Sequence, residues 1–186
     1  MNVSYRKEID KMRPYVPGKP IEEVQKELGL KTIIKLASNE NPLGCSPLAK
    51  KAIKEGLDHI ALYPDGNAGA LKEAVAKHLN VKEEQLIFGA GSDELLGVIS
   101  QVFLSPGNEV LTSDQSFPRY DSAAHLMGSN IVKVPLTNYT YDLSKMGKEI
   151  NPNTKLIILA NPNNPTGTYF TQTALLEFLD HVPSDI

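Results

Sequence analysis

Residues 89–94 read Gly-Ala-Gly-Ser-Asp-Glu, placed between an apolar run and a helical pattern. Two glycines let backbone approach a ligand, and the first turn of a helix carries N–H groups without partners, so such a junction attracts an anion. Phosphate is the natural guest, with Gly91, Ser92 and Asp93 as its cradle. A second reading stands beside this one: Ser92 caps the helix while Asp93 and Glu94 complement its dipole. Two acids in that turn would repel a phosphate unless their carboxylates point away. A dinucleotide fingerprint would need a third glycine where Glu94 stands, although Asp114 could mimic its ribose-binding acid.

A second stretch, Ala-Asn-Pro-Asn-Asn-Pro-Thr-Gly at 160–167, follows the apolar run Leu156-Ile157-Ile158-Leu159. A simple turn needs one or two Gly, Pro or Asn residues. Here six of the seven residues from Asn161 to Gly167 are of these types, so the loop's shape is fixed for something it holds. Pro162 and Pro165 restrict the backbone around the amides, and a tight turn favours a cis bond at Pro165. Other chemistries lack their residues. The histidines, 59, 78, 125 and 181, form no pair at metal-ligand spacing, and no metal is expected. Cys45, the single cysteine, has no adjacent base and forms no intramolecular disulfide, which fits a reducing compartment. No G-x-S-x-G elbow is present.

The elements around these stretches change character near residue 80. Before it lie short helices and turns: Ile21, Val24 and Leu28 share a face that Gly29 ends, Ser46-Pro47 starts a helix that Gly56 stops, and 69–79 is a helix with Leu71, Val75 and Leu79 on one stripe. From 85 onward strands at 85–91, 109–112, 130–134 and 155–160 alternate with helices starting at Ser92 and covering 117–127, 142–149 and 173–180, the last capped by Thr171. This alternation predicts an α/β fold of three layers, a mostly parallel sheet with helices on both faces, preceded by an N-terminal segment of short helices and turns. Ligands of such sheets bind beyond the carboxyl ends of the strands, where both stretches fall. The 186 residues are 41% apolar and 22% charged with a net charge of −3, which suits a globular protein and offers no basic stripe for nucleic acid. No signal-like or membrane-spanning apolar run occurs, so no membrane partner and a cytoplasmic location are expected.

Ser-Asn-Glu-Asn-Pro-Leu-Gly at 38–44, Tyr-Pro-Asp-Gly at 63–66, Gly-Ala-Gly-Ser-Asp-Glu-Leu-Leu at 89–96, Ser-Phe-Pro-Arg-Tyr at 116–120 and the 160–167 loop stand in one order along the chain. From about residue 13 to the end, the set resembles the fold-type I pyridoxal-phosphate aminotransferases, most nearly those acting on histidinol phosphate. The resemblance implies pyridoxal 5′-phosphate as cofactor and a small amino-acid or phosphate compound as substrate. It implies a phosphate cup at Gly91, Ser92 and Asp93, an aromatic stack from Phe117 on the pyridine ring, and a hydrogen bond from Asn164 to the cofactor's phenolic oxygen. A carboxamide suits that task because it donates to a phenolate without adding a titrating charge. Tyr63 would cross to a neighbouring subunit's phosphate, making a homodimer with shared active sites, and Asn39, Glu40 and Asn41 would lie in the loop over the substrate.

By the same resemblance residues 1–45 form an N-terminal arm and part of a small domain, and 46–186 an incomplete cofactor-binding large domain. The Schiff-base lysine and the acid facing the pyridine nitrogen are expected downstream of Ile186, so no catalytic lysine is expected within the chain and the 186 residues alone are expected to be inactive. Four strands would leave an open sheet edge, a hazard for association. Two alternatives share the half-site or dispense with it: a threonine-phosphate decarboxylase or aromatic aminotransferase of the same fold, and a non-catalytic fragment that pairs with an intact subunit.

Overall fold

The computed structural model describes residues 4–12 and 18–186. The chain divides into two compact units, Val16–Ile87 and Met1–Tyr15 with Phe88–Ile186.

The Val16–Ile87 unit holds three helices, α1 (Ile21–Leu28), α2 (Pro47–Gly56) and α3 (Gly69–Leu79). Their ends follow local chemistry. Gly29 closes α1 in the left-handed conformation, and the Ser46 hydroxyl accepts the Ala49 N–H at 3.5 Å ahead of Pro47 at the first helical position. Ala76 is the buried hydrophobic residue among the unit's described residues. The stripe of Leu71, Val75 and Leu79 exists on α3, but Leu71 and Leu79 are exposed. Helical spacing aligns side chains on a face without supplying a surface to cover them.

The second unit is built on a parallel sheet, β1 (Glu109–Ser113), β2 (Asn130–Val134) and β3 (Thr154–Ile157), in the order β2-β1-β3. Its helices are α4 (Gly91–Phe103), α5 (Arg119–Leu126), α6 (Leu143–Glu149) and α7 (Gln172–Leu179). On the central strand Val110 and Leu111 are both buried and, by the two-residue period of a strand, face opposite ways. Val110 joins Leu104 and Ala124 against Ile131 and Leu156 on one face, while Leu111 joins Val134, Tyr141, Met146, Phe170 and Phe178 on the other. With α5 and the end of α4 on the first face and α6 and α7 on the second, the expected three layers are present.

Two expectations about the strands differ. The 85–91 stretch is not a strand: Glu83–Gln85 is a 3-10 turn, Leu86 is extended, and residues 86–89 pair with no neighbour among the described residues. Extended backbone becomes a strand only when its N–H and C=O groups find a ladder. The third strand also ends at Ile157 rather than 160, although Ile158 still donates its N–H to Leu111 O at 2.9 Å.

Candidate functional site

The helix α4 begins at Gly91 with Ala90 as its cap, so Ser92 stands inside the first turn and makes no capping bond. This corrects the expectation that Ser92 caps the helix, and the reason lies in the glycine. Gly91 adopts φ +81°, which lets the chain reverse between Gly89 and the helix; its N–H bonds Gly89 O at 2.8 Å. The N–H groups of Ser92 and Asp93 and the Ser92 hydroxyl have no partner among the described residues, which leaves an anion-seeking corner.

Both acids of this turn are occupied. Glu94 folds back and accepts the Ala90 N–H at 2.5 Å. Asp93 receives both arms of the Arg119 guanidinium, Nε at 2.5 Å and Nη2 at 2.6 Å. That bidentate bond holds the Asp93 carboxyl below the usual carboxylate range and raises the Arg119 guanidinium above its own. Repulsion of a bound phosphate is thereby reduced, because Asp93 brings its own counter-charge.

Arg119 opens α5, two residues after Phe117; the helix starts there rather than at 117, with Pro118 as its cap. Phe117 is half-buried and meets Tyr120 edge to face, centroids 5.9 Å apart. Burial, with Tyr141 nearby, raises the Tyr120 phenol pKa.

The other side of this segment is held by the 160–170 loop. The Asn161–Pro162 and Asn164–Pro165 bonds are both cis, the second as expected. Asn161 brackets the Phe170 backbone, accepting its N–H and donating to its carbonyl, each at 3.1 Å. Asn163 is 3% exposed; its Nδ2 donates to Gln115 O at 3.0 Å and Thr166 Oγ1 at 2.8 Å, and its Oδ1 accepts from Ser116 Oγ at 3.0 Å. Asn164, its neighbour, is exposed, and its carboxamide has no partner among the described residues.

Gly91, Ser92 and Asp93 on one side and Asn164 on the other are thus tied to a single segment, 115–119, which carries Phe117 between its two anchors. Sequence reasoning named these five but missed Asn163, Ser116 and Arg119, whose partners lie far along the chain. Asn39, Glu40, Asn41 and Tyr63 belong to the Val16–Ile87 unit. There Asn39 has φ +51°, Lys35 donates to the Glu40 carboxylate, and Asn41 closes a turn by accepting the Leu43 N–H at 3.0 Å and donating to Gly44 O at 3.2 Å. Tyr63 is fully exposed. Among the described residues no helix is long and apolar enough to cross a membrane, and no cluster of His, Cys, Asp and Glu could hold a metal ion.

The chain is similar to known proteins over nearly its whole length. It is 52% identical over 182 residues to histidinol-phosphate aminotransferase of Caldicellulosiruptor saccharolyticus, covering 98% of this chain and 51% of that protein. With the Moorella thermoacetica enzyme of the same name it shares 52% identity over 181 residues, covering 97% of this chain and 47% of the relative. The crystal structure of histidinol-phosphate aminotransferase from Sinorhizobium meliloti in complex with pyridoxal-5′-phosphate matches with a TM-score of 0.84 and 26% identity, over 96% of this chain and 48% of that one. The chain therefore spans about half the length of the curated relatives it matches. A family model described as aminotransferase class I and II matches residues 31–185, and the chain belongs to that family.

Proposed function

We propose that this chain supplies half of a pyridoxal 5′-phosphate site, and that the intact protein transfers an amino group between histidinol phosphate and 2-oxoglutarate. The observation that carries the reading is the double anchoring of residues 115–119: Arg119 bonds Asp93 at the start of α4, and Ser116 bonds Asn163 beside Asn164. The free donors suit this cofactor, since unpaired amides and a hydroxyl match a phosphate while a lone carboxamide matches a phenolate.

In this reading Gly91 gives backbone room for the phosphate, and the Ser92 and Asp93 amides with the Ser92 hydroxyl donate to its oxygens. Phe117 stacks on the ring, a contact contributing about 0.5–1.5 kcal/mol beyond its buried area. Asn164 donates to the phenolic oxygen, held ready by the cross-links of its neighbours rather than ordered on binding. The cofactor, when bound, supplies an electron sink for the substrate carbon. We further propose that Asn39, Glu40 and Asn41 lie over the substrate, that Tyr63 serves the phosphate of a second copy in a homodimer, and that residues 1–45 and 46–186 belong to a small and a large domain.

Pyridoxine 5′-phosphate tests this cleanly, because it keeps ring, phenol and phosphate but has no aldehyde to label surface lysines. Equilibrium dialysis should show one saturable site that N164A and S92A each weaken about tenfold, as expected for a lost bond to a charged group. Binding that does not saturate, or that neither substitution changes, contradicts the reading.

A further inference from the structure

The loop's two ends converge on one buried side chain, Tyr141, which lies on the connection from β2 to α6. Its hydroxyl accepts the Ala160 N–H at 3.4 Å and donates to Ser116 Oγ at 2.8 Å; Ser116 in turn donates to Asn163 Oδ1. Its ring meets Phe170 edge to face, centroids 6.0 Å apart, at the point where Asn161 brackets the Phe170 backbone. The residue thus touches the loop where it begins and where it ends, and its hydroxyl extends that reference to the segment carrying Phe117. Every bond in the relay points one way, so each hydroxyl both accepts and donates and neither is left unsatisfied.

We propose that Tyr141 is a positioning residue that sets Asn164 against Phe117 through the relay Tyr141–Ser116–Asn163; this rests on the cofactor reading above. The relay's members are separated by 25 and 47 positions in sequence, so local propensity holds none of them together. Phe170 packs on the ring of Tyr141 and not on its hydroxyl, which separates packing from positioning. Phenylalanine at 141 keeps the first and removes the second.

The test uses the full chain with Y141F, S116A, S116T and the double variant Y141F/S116A, reading pyridoxine 5′-phosphate affinity and hydrogen exchange of loop amides 163–168. Losing one bond of such a relay should raise the dissociation constant about fivefold to tenfold in Y141F and in S116A. S116T, which keeps the hydroxyl, should stay within about twofold of wild type, and the double variant should be no worse than the worse single one, because both break the same path. Loop exchange should quicken in Y141F, S116A and the double variant but not in S116T. Unchanged affinity and exchange in a folded Y141F, or a weakened S116T equal to S116A, overturns the proposal. Should wild type bind no pyridoxine 5′-phosphate, the cofactor reading fails by itself, and exchange at 163–168 alone decides the relay: faster in Y141F supports it, unchanged refutes it.

Discussion

At the scale of residues, the most instructive pair is Asn163 and Asn164, identical in type and adjacent in sequence. One is buried and makes three side-chain hydrogen bonds; the other is exposed with its carboxamide free among the described residues. N163A should therefore destabilise the chain by about 1–3 kcal/mol, the cost of leaving buried partners unpaired, while N164A should cost under about 0.5 kcal/mol. Urea unfolding of the two variants measures both. The type and spacing of the loop residues revealed that its shape was fixed, but not which amide turned inward, because that depends on Gln115 and Ser116 arriving on the segment that follows β1. Arg119 was illegible for the same reason: its partner Asp93 lies 26 positions away. R119Q should leave the Asp93 carboxylate unpaired at the start of α4 and weaken pyridoxine 5′-phosphate about threefold, in the range of an exposed ion pair, with the loss shrinking as salt is added. Dialysis at low and high ionic strength checks this; a loss independent of salt would rule out the charge argument.

At the scale of elements, what was legible is what local chemistry decides. Ser46-Pro47 starts α2, Thr171 caps α7, and α3 runs from Gly69 to Leu79 as its pattern indicates. The apolar strand at 130–134 was equally plain, since β-rich residues between turn signals have one sensible conformation. The 85–91 stretch carried the same signals, yet a strand needs a partner and none of the described residues supplies one. The cap of α6 illustrates a local device with a measurable consequence. Asp142 accepts the Lys145 N–H at 3.0 Å and bonds the Lys145 ammonium and Thr137 hydroxyl, with the Lys145 side chain contributing most to a carboxyl pKa lowered from 3.8 to about 2. Because the folded value is the lower one, the carboxylate's stabilisation is fully present above the ordinary value and is lost as pH falls from 3.8 through about 2. D142A should cost about 1 kcal/mol at neutral pH through the lost cap, and its stability should fall less steeply in that acid window than wild type's. Urea midpoints at a series of pH values decide; parallel wild-type and D142A curves would contradict the assignment.

At the scale of the whole molecule, the chain has about half the length of the relatives it matches, and the Val16–Ile87 unit exposes large apolar side chains, among them Ile34 at 82%, Leu36 at 91% and Leu43 at 92%. Apolar surface on that scale favours association. Sedimentation at micromolar concentration should therefore report a species of twice the 20.4 kDa chain mass or larger, and a monomer at all concentrations would contradict a homodimer. Which apolar side chains stay exposed was not legible in the sequence, because the spacing on α3 is the same whether its stripe is covered or bare. The central claim, that one ligand is held from both anchors of residues 115–119, is tested most directly by amide NMR during a titration with pyridoxine 5′-phosphate. The backbone signals of Ser92 and Asp93 and the side-chain carboxamide of Asn164 should shift together, along one binding curve with one dissociation constant. Shifts confined to the α4 start, or two groups following different curves, would show that no single ligand spans the site.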